Sequence, residues 1–150
     1  MKTKAIITFI CTCFFSAGAA SIEAVADSAD DNKVIMIPDA TYMYAERDTC
    51  ELFMDVYNPA AGSRKTFEGK NKPAVIFMFG GGFIQGTRDD ESYHKWFKQL
   101  TDNGYKVISI DYRLGLKGSK KVGIAQVNVL DKAIHIAVED LFSATNFIID

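Results

Sequence analysis

The segment that most constrains this chain is an apolar run that passes directly into three glycines. Residues 74–79 read Ala-Val-Ile-Phe-Met-Phe, with Pro73 in front of them and Gly80, Gly81 and Gly82 behind. An unbroken apolar run of this length, bounded by proline and glycine, is typical of a strand that is buried on both faces. The segment therefore predicts a central strand with a glycine loop at its carboxyl end.

The glycine loop is a candidate site for a negatively charged oxygen. Glycine has no Cβ, so its backbone can adopt positive φ angles and a ligand can approach its N–H groups closely. Successive N–H groups at the carboxyl end of a strand can stabilise the oxyanion of an acyl-transfer reaction. We predict that the backbone N–H groups of Gly81 and Gly82 form such an oxyanion hole. A tight turn without a ligand is the alternative interpretation.

Four segments, in the same order along the chain, resemble the carboxylesterase and lipase branch of the α/β-hydrolase family. Residues 79–83, Phe-Gly-Gly-Gly-Phe, resemble that family's His-Gly-Gly-Gly-Phe loop. Residues 52–59 resemble its early strand, residues 103–114 its next core strand with Asp-Tyr-Arg-Leu, and residues 137–141 the helix before its nucleophile. The resemblance covers residues 41–150 and implies an α/β fold with an early hairpin, followed by parallel strands with crossover helices.

The resemblance also implies a serine hydrolase that acts on small carboxylic esters, without a cofactor or a metal. In this family the nucleophilic serine stands in Gly-x-Ser-x-Gly, and an acid and a histidine follow it along the chain. No Gly-x-Ser-x-Gly occurs in the 150 residues. We therefore expect the nucleophile elbow, the later strands and the triad in a C-terminal hydrolase portion, and no activity from this chain alone. The alternative is a non-catalytic binding or adhesion module on a hydrolase scaffold.

Phe79 departs from the resembled motif, because histidine is usual at its position. A phenyl ring cannot make the hydrogen bonds of an imidazole, so we expect intact N–H donors on a less rigid loop. Phe83 is predicted to pack beneath the loop, and Gly86 to relieve crowding in its second half.

Two phosphate-binding interpretations of the loop fail on neighbouring residues. Gly81 and Gly86 have the spacing of a P-loop, but Thr87-Arg88 stands in place of the required Lys-Ser/Thr. The dinucleotide fingerprint fails as well, because Gln85 occupies its third glycine position.

The two histidines are not expected to belong to a triad, because the catalytic histidine of the resembled family follows both the nucleophile and the acid. We predict that His94 and His135 lie on the surface. Asp131, His135 and Glu139 share one helical face, and with no fourth ligand in view we interpret them as solvated rather than as a metal site.

Other reactive residue types are interpreted as structural. Ser109 lies within a predicted strand and Ser119 in a lysine-rich loop, so neither is a candidate nucleophile. Cys50 is expected to pack as a small apolar side chain. Local hydrogen bonds and ion pairs are predicted for three charged residues, Asp111, Arg113 and Asp140.

The first 20 residues predict export. Lys2 and Lys4 precede an apolar stretch over residues 5–15, and small residues follow, which is the pattern of a secretory signal peptide with cleavage after Ala19 or Ala20. The apolar stretch is too short for a permanent membrane span. We expect secretion or a periplasmic location.

The rest of the chain has the composition of an acidic globular protein. Removal of the signal peptide leaves 15 basic and 19 acidic residues, so neither nucleic acid nor an anionic membrane surface is expected as a partner. Cys50 would then be the one remaining cysteine, which excludes an internal disulfide. Lipidation at Cys11 or Cys13 is the alternative to a cleaved signal. Residues 21–40 are predicted to be a leader, and residues 41–150 a partial α/β-hydrolase domain.

Apolar periodicity predicts the order strand, strand, strand, helix, strand, helix. A long helix over residues 129–149 is predicted to bury one stripe of apolar side chains: Leu130, Ile134, Ala137, Leu141 and Ile148. In the hydrolase arrangement the strand at 74–79 lies between the strand at 105–111 and a later strand. We therefore expect one of its edges to be exposed in this chain.

Overall fold

A computed structural model describes residues 6–10, 33–48, 50–63, 73–119 and 127–149. These residues form a five-stranded mixed sheet with the strand order β1-β4-β5-β3-β2. The strands are β1 (Ile6–Ile10), β2 (Ala40–Arg47), β3 (Cys50–Tyr57), β4 (Ala74–Met78) and β5 (Lys106–Ile110). The helices are α1 (His94–Asp102), preceded by a 3₁₀ turn (Glu91–Tyr93), and α2 (Val127–Ile149). The predicted α/β class is confirmed.

The predicted hairpin is present as the antiparallel pair β2 and β3, with an irregularity in register between Met43 and Ala45. In β3, the alternate residues Leu52, Met54 and Val56 are buried against one face of the sheet. The period-2 pattern of apolar residues is the physical reason why this segment forms a strand.

The parallel pair of β4 and β5 positions the glycine loop. Their register runs from Ala74 opposite Lys106 to Met78 opposite Ile110, and α1 lies on the connection between them. Parallel strands end at the same edge of a sheet, so the glycine loop after β4 lies beside the segment that begins at Asp111. β5 also pairs with β3 in the antiparallel sense.

The expected exposed edge of β4 is not observed, because β1 pairs with it in parallel, from Ile6 opposite Ala74 to Ile10 opposite Met78. An unpaired strand edge presents free N–H and C=O groups, and pairing with another apolar segment satisfies them. β1 lies within the predicted signal peptide. Cleavage after Ala19 or Ala20 would remove it and leave that edge of β4 unpaired.

The helices lie on opposite faces of the sheet, as the alternation of side chains along the strands shows. On one face, Phe97 of α1 packs with Tyr57 and Val107. On the other, α2 packs against a cluster that includes Ile76 and Ile108. Within the described residues, no helix is long and apolar enough to cross a membrane.

The prediction for the buried stripe of α2 is partly wrong. Leu130 and Ile134 are each 42% exposed, and the buried positions of the helix are Ala133, Ala137, Asp140 and Ala144. The reason is a close approach of the chain: a Cβ atom on Gly115 would lie 2.7 Å from the Cα of Ala133. At Ala133, where the loop and the helix are this close, a larger side chain would not fit.

Candidate functional site

The glycine loop has a backbone that other residue types rarely adopt. Gly81, Gly82 and Gly86 have φ angles of 133°, 63° and 118°, and Phe83 has φ 62° although it is not glycine. A Cβ atom on Gly81 would lie 1.9 Å from the carbonyl oxygen of Gln85, whereas one on Gly82 would meet nothing within 4 Å. A positive φ angle is strained for a bulky aromatic residue, so contacts with the surrounding residues must hold Phe83 in this conformation.

The loop leaves successive N–H groups available on Gly81 and Gly82, and the N–H group of the half-buried Phe83 also has no acceptor among the described residues. The Gly80 N–H donates to the hydroxyl of Tyr93 at 3.1 Å, and the Gly81 carbonyl accepts from the N–H of Ile84 at 3.1 Å. Within the described part of the chain, the N–H groups of Gly81 and Gly82 donate to no partner, and both residues are exposed. The geometry therefore allows these two groups to bind an oxygen atom from outside the chain.

Phe79 is held by stacking and by its backbone. Its ring stacks on Tyr112 with centroids 4.5 Å apart and planes at 27°, and the Tyr112 hydroxyl donates to the Phe79 carbonyl at 2.8 Å. A Cβ atom on Gly86 would lie 2.4 Å from the Phe79 ring, so glycine is required there. These contacts hold the loop at the position where the resembled motif has a histidine, whose hydrogen bonds a phenyl ring cannot make. Phe83 is half-buried, its ring packs edge-on against Tyr112, and its carbonyl accepts from the N–H of Leu116 at 2.9 Å.

The end of the loop is anchored by Arg88, which forms the Arg88 cluster with Asp55 and Asp111. Its Nε lies 3.0 Å from Asp55 Oδ2, and its Nη1 donates to Asp111 Oδ2 at 2.7 Å. Its carbonyl accepts from the hydroxyl of Ser109 at 2.8 Å. Burial raises the pKa of Asp111, although Arg88 acts in the opposite direction. The buried Ser109 is thus engaged in anchoring this segment, as its structural interpretation predicted.

A second ionic cluster, the Asp140 cluster, joins α2 to the sheet. The fully buried carboxylate of Asp140 accepts from the backbone N–H of Arg113 at 2.9 Å and from its Nη2 at 2.8 Å. Arg47 at the end of β2 donates to the same carboxylate at 3.3 Å. Hydrogen bonds to Asp140 and Glu139 raise the pKa of Arg113. Asp140 therefore tethers the backbone, as predicted.

A cavity of about 550 Å³ lies beside Phe79 and Gly86. Apolar side chains and two lysines are among the residues that line it, including Leu52, Tyr112, Leu114, Lys117, Lys132 and Ile136. Gly81 and Gly82 do not line this cavity. Their N–H groups open to solvent instead.

Two predictions about single residues are wrong. His94 is buried rather than on the surface, because the inner side of α1 carries it against the rings of Tyr57 and Phe97, and Met36 covers it by donating its N–H to Nδ1 at 3.0 Å. Cys50 is exposed rather than packed, because it is the first residue of β3 and lies next to the hairpin turn.

The remaining site candidates are placed as follows. His135 is exposed, and its Nδ1 lies 2.8 Å from the carbonyl of Asp131, one turn earlier on the helix. Among the described residues, no group of three or more His, Cys, Asp or Glu side chains could hold a metal ion. Ser119 lies in an exposed loop.

Sequence reasoning missed the roles of Tyr93 and Arg88. No role is predicted for Tyr93 from the sequence, and Arg88 is considered only as part of the Thr87-Arg88 pair that departs from the P-loop motif. Their position soon after the glycines was the available signal, since a residue that follows a loop by a few positions can fold back on it.

The chain matches the BD-FAE family over residues 54–140, which include the glycine loop, β5 and most of α2. The chain belongs to the BD-FAE family. This is an esterase family of the α/β-hydrolase type, so the expected family resemblance is confirmed.

Curated relatives share this part of the BD-FAE chain as a small portion of much larger proteins. The chain is 33% identical over 110 residues to the non-reducing polyketide synthase ausA of Emericella nidulans, which covers 73% of the chain and 4% of the synthase. It is 34% identical over 96 residues to the non-reducing polyketide synthase prhL of Penicillium brasilianum, covering 64% of the chain and 4% of that protein.

Solved structures of Thermogutta terrifontis esterase 2 resemble the fold of the BD-FAE chain. The form phosphoramylated by tabun superimposes with a TM-score of 0.47 at 22% identity, over 73% of this chain and 34% of that chain. The butyrate-bound form gives a TM-score of 0.44 at 23% identity, over 73% and 33%. The chain thus spans about a third of the length of these esterases.

Proposed function

We propose that this chain is the N-terminal part of a secreted serine hydrolase of small carboxylic esters. Membership of the BD-FAE family supports the esterase chemistry. The observation that carries the proposal for the site is the pair of exposed N–H groups on Gly81 and Gly82, which have no acceptor among the described residues.

In the proposed reaction a serine attacks the ester carbonyl, and negative charge develops on the carbonyl oxygen. Two preorganised N–H donors stabilise that oxygen more strongly in the transition state than in the bound ester, which lowers the barrier. Gly81 supplies one donor. Its position excludes any residue with a Cβ atom, because that atom would clash with the carbonyl oxygen of Gln85. Gly82 supplies the other donor, and a Cβ atom at this position would meet nothing within 4 Å.

Neither Ser109 nor Ser119 is a candidate for the serine nucleophile. Ser109 is fully buried and donates to the Arg88 carbonyl, and Ser119 lies in an exposed loop without the strand-to-helix turn that activates a hydrolase serine. Stabilising an oxyanion has no effect on rate where nothing generates one. We therefore expect negligible turnover of p-nitrophenyl acetate by the purified chain.

Export is part of the proposal. The pattern of basic, apolar and small residues over positions 1–20 supports a signal peptide. Expression of the full chain in a bacterium, followed by amino-terminal sequencing of the exported protein, tests this. A product that begins at Ser21 or Ala20 supports export, and a product that stays uncleaved in the cytosol contradicts it.

The coding sequence after codon 150 separates the truncated enzyme from a stand-alone binding module. An in-frame continuation that contains Gly-x-Ser-x-Gly supports the enzyme, and its product should hydrolyse p-nitrophenyl acetate. A stop codon, together with soluble monodisperse protein, favours the non-catalytic module.

In an active longer product, substitutions at the two glycines test the oxyanion hole. Gly82→Pro removes the N–H donor, and we expect kcat to fall by about 10²–10³-fold. Gly82→Ala keeps the donor and its methyl group meets nothing within 4 Å. The φ of 63° strains alanine, but the loss should still be smaller than that of Gly82→Pro. Gly62→Pro is the matched control, because Gly62 also has positive φ, 78°, and lies after β3 at the other end of the sheet.

Two outcomes would contradict the proposed site, and a third would contradict the expected inactivity of the chain alone. Gly82→Pro could retain full kcat, Gly62→Pro could lose as much as Gly82→Pro, or the purified chain alone could turn over the ester in a way that Gly82→Pro abolishes. The first two remove the role of the Gly82 donor, and the third shows that the chain is already a complete catalyst.

A further inference from the structure

We infer that Tyr93 and Tyr112 are positioning residues that clamp one peptide plane of the glycine loop, and so determine which amides are left to bind an oxyanion. The inference rests on the proposed function for the role of those amides. The clamp itself is a feature of the geometry.

The two hydroxyl groups bind the same peptide unit. The carbonyl of Phe79 and the N–H of Gly80 belong to one amide, and they point in opposite directions from it. Tyr112 donates to the carbonyl at 2.8 Å, and the N–H donates to Tyr93 at 3.1 Å. Rotation of this peptide plane would break both hydrogen bonds at once.

The two tyrosines reach the peptide from opposite faces of the sheet. Tyr93 packs against the clusters of both faces, and its aromatic ring neighbours are on the α1 side: its ring centroid lies 4.8 Å from that of Phe77 and 6.4 Å from that of Phe97. Tyr112 belongs to the cluster on the α2 face and stacks on the ring of Phe79. Each phenol is therefore held by its own aromatic contacts, and the peptide is fixed between them.

The protonation state of Tyr112 suits its role as a hydrogen-bond donor. Burial, with a smaller effect from Tyr93, raises the pKa of Tyr112 to about 12. The Tyr112 hydroxyl therefore keeps the proton that it donates to the Phe79 carbonyl throughout the neutral range.

The clamp determines which N–H groups of the glycine loop can donate to a ligand. Glycine peptides rotate readily, because no Cβ restricts them. With Tyr93 occupying the Gly80 N–H, the N–H groups of the exposed residues Gly81 and Gly82 are left for a ligand. Without Tyr93, the Gly80 N–H would become a competing donor, and the Phe79–Gly80 peptide plane would be held by Tyr112 alone.

Backbone NMR of the isotope-labelled full chain tests the clamp without requiring turnover. In Tyr93→Phe, we expect amide hydrogen exchange at Gly80 to accelerate by about two- to tenfold, the range that the loss of one hydrogen bond gives. In Tyr112→Phe, the carbonyl ¹³C resonance of Phe79 should move. Tyr42→Phe is the control, because Tyr42 is half-exposed and its hydroxyl bonds to nothing in the described residues.

The inference is overturned if Gly80 exchange is unchanged in Tyr93→Phe. It is also overturned if exchange accelerates equally at Val107 and Ile108 of β5, since that result means general destabilisation. The NMR experiment needs no ester. The inference about the tyrosines can therefore be overturned while the esterase proposal holds, and the esterase proposal can be overturned while the inference holds.

A kinetic arm separates positioning from substrate binding in any longer product that is active. Each Tyr→Phe variant should lower kcat by about three- to tenfold, because a misplaced donor acts on the transition state, and should leave KM unchanged. A raised KM with unchanged kcat would show that the tyrosines act on substrate binding and would overturn the inference.

Discussion

The two faces of the sheet hold their helices in different ways. On the α1 face, Phe97 is fully buried, with its ring 5.2 Å from that of Tyr57 and 5.0 Å from that of Phe77. On the α2 face, alanines point inward and large apolar side chains are exposed. These exposed residues are Val127, Val129, Leu130, Ile134, Val138, Phe142, Phe147 and Ile149. Aromatic burial holds α1, whereas α2 contributes buried alanines and the partly buried Leu141 and Ile148 to the core.

The ionic clusters of the two faces are opposite in sign. In the Asp140 cluster, one carboxylate lies between the guanidinium groups of Arg47 and Arg113. In the Arg88 cluster, one guanidinium lies between the carboxylates of Asp55 and Asp111. The central group is fully buried in the first, while the Arg88 side chain is 22% exposed in the second. The comparison indicates that α2 depends on a buried charge and that the glycine loop depends on a partly solvated one.

The largest expected effect is that of Asp140→Ala. The variant leaves the guanidinium groups of Arg47 and Arg113 without their buried acceptor, so we expect a loss of about 3–5 kcal/mol in the free energy of unfolding. Urea denaturation followed by circular dichroism measures it. Glu139→Gln is the matched control, because Glu139 binds the same Arg113 but is exposed, and its loss should stay below about 1 kcal/mol. Equal losses in the two variants would contradict the dependence of α2 on Asp140.

A smaller loss is expected for Arg88→Met. Methionine keeps much of the apolar stem but removes the ion pair with Asp55 and the charged hydrogen bond to Asp111, which corresponds to about 1.5–3 kcal/mol. The same urea experiment applies, with Lys98→Met as the control, because the Lys98–Asp102 ion pair is exposed. A loss above that of Asp140→Ala would reverse the comparison of the two clusters.

The smallest effect concerns alkaline pH, with one tyrosine on each face. Burial raises the pKa of Tyr57, on the α1 face, and of Tyr112, on the α2 face, from 10.0 to about 12. Because the folded-state pKa is raised, each phenol contributes stability that is fully present below pH 10 and is lost as pH rises towards 12. Thermal unfolding measured across this window should therefore show a falling Tm.

Arg88→Met distinguishes the two tyrosines in a titration at alkaline pH. Arg88 lowers the pKa of Tyr57 but is not among the groups that act on Tyr112. In the variant, ultraviolet titration of tyrosinate should show Tyr57 titrating at higher pH and Tyr112 unchanged, with Tyr57→Phe and Tyr112→Phe assigning the two signals. A shift in Tyr112 alone would contradict the assignment of these residues to separate faces.

Much of the fold could be predicted because it follows from local patterns. The apolar run at 74–79, the alternation in β3 and the stop at Gly104, whose φ is 87°, each depend on residues that are close in sequence. The glycine loop could be recognised for the same reason. Its positive φ angles at Gly81 and Gly82 are what only glycine adopts without strain.

Other features could not be predicted, because they depend on residues distant in sequence. His94 is buried because Met36, 58 residues earlier, covers it. Ala133 faces inward on α2 because the loop at Gly115 comes close to it, and helical periodicity alone points to the larger residues.

The amino-acid pattern alone specified a central strand, a hairpin and a glycine bend with two candidate donors, since each follows from backbone preferences over a few neighbouring positions. The tertiary structure decided what holds that bend. Tyr93 and Tyr112 stand 13 and 33 residues from the groups that they bind, and they meet one peptide only because the sheet brings its two faces to the same edge. Hydrogen bonds depend on distance in space, and local patterns carry no measure of it.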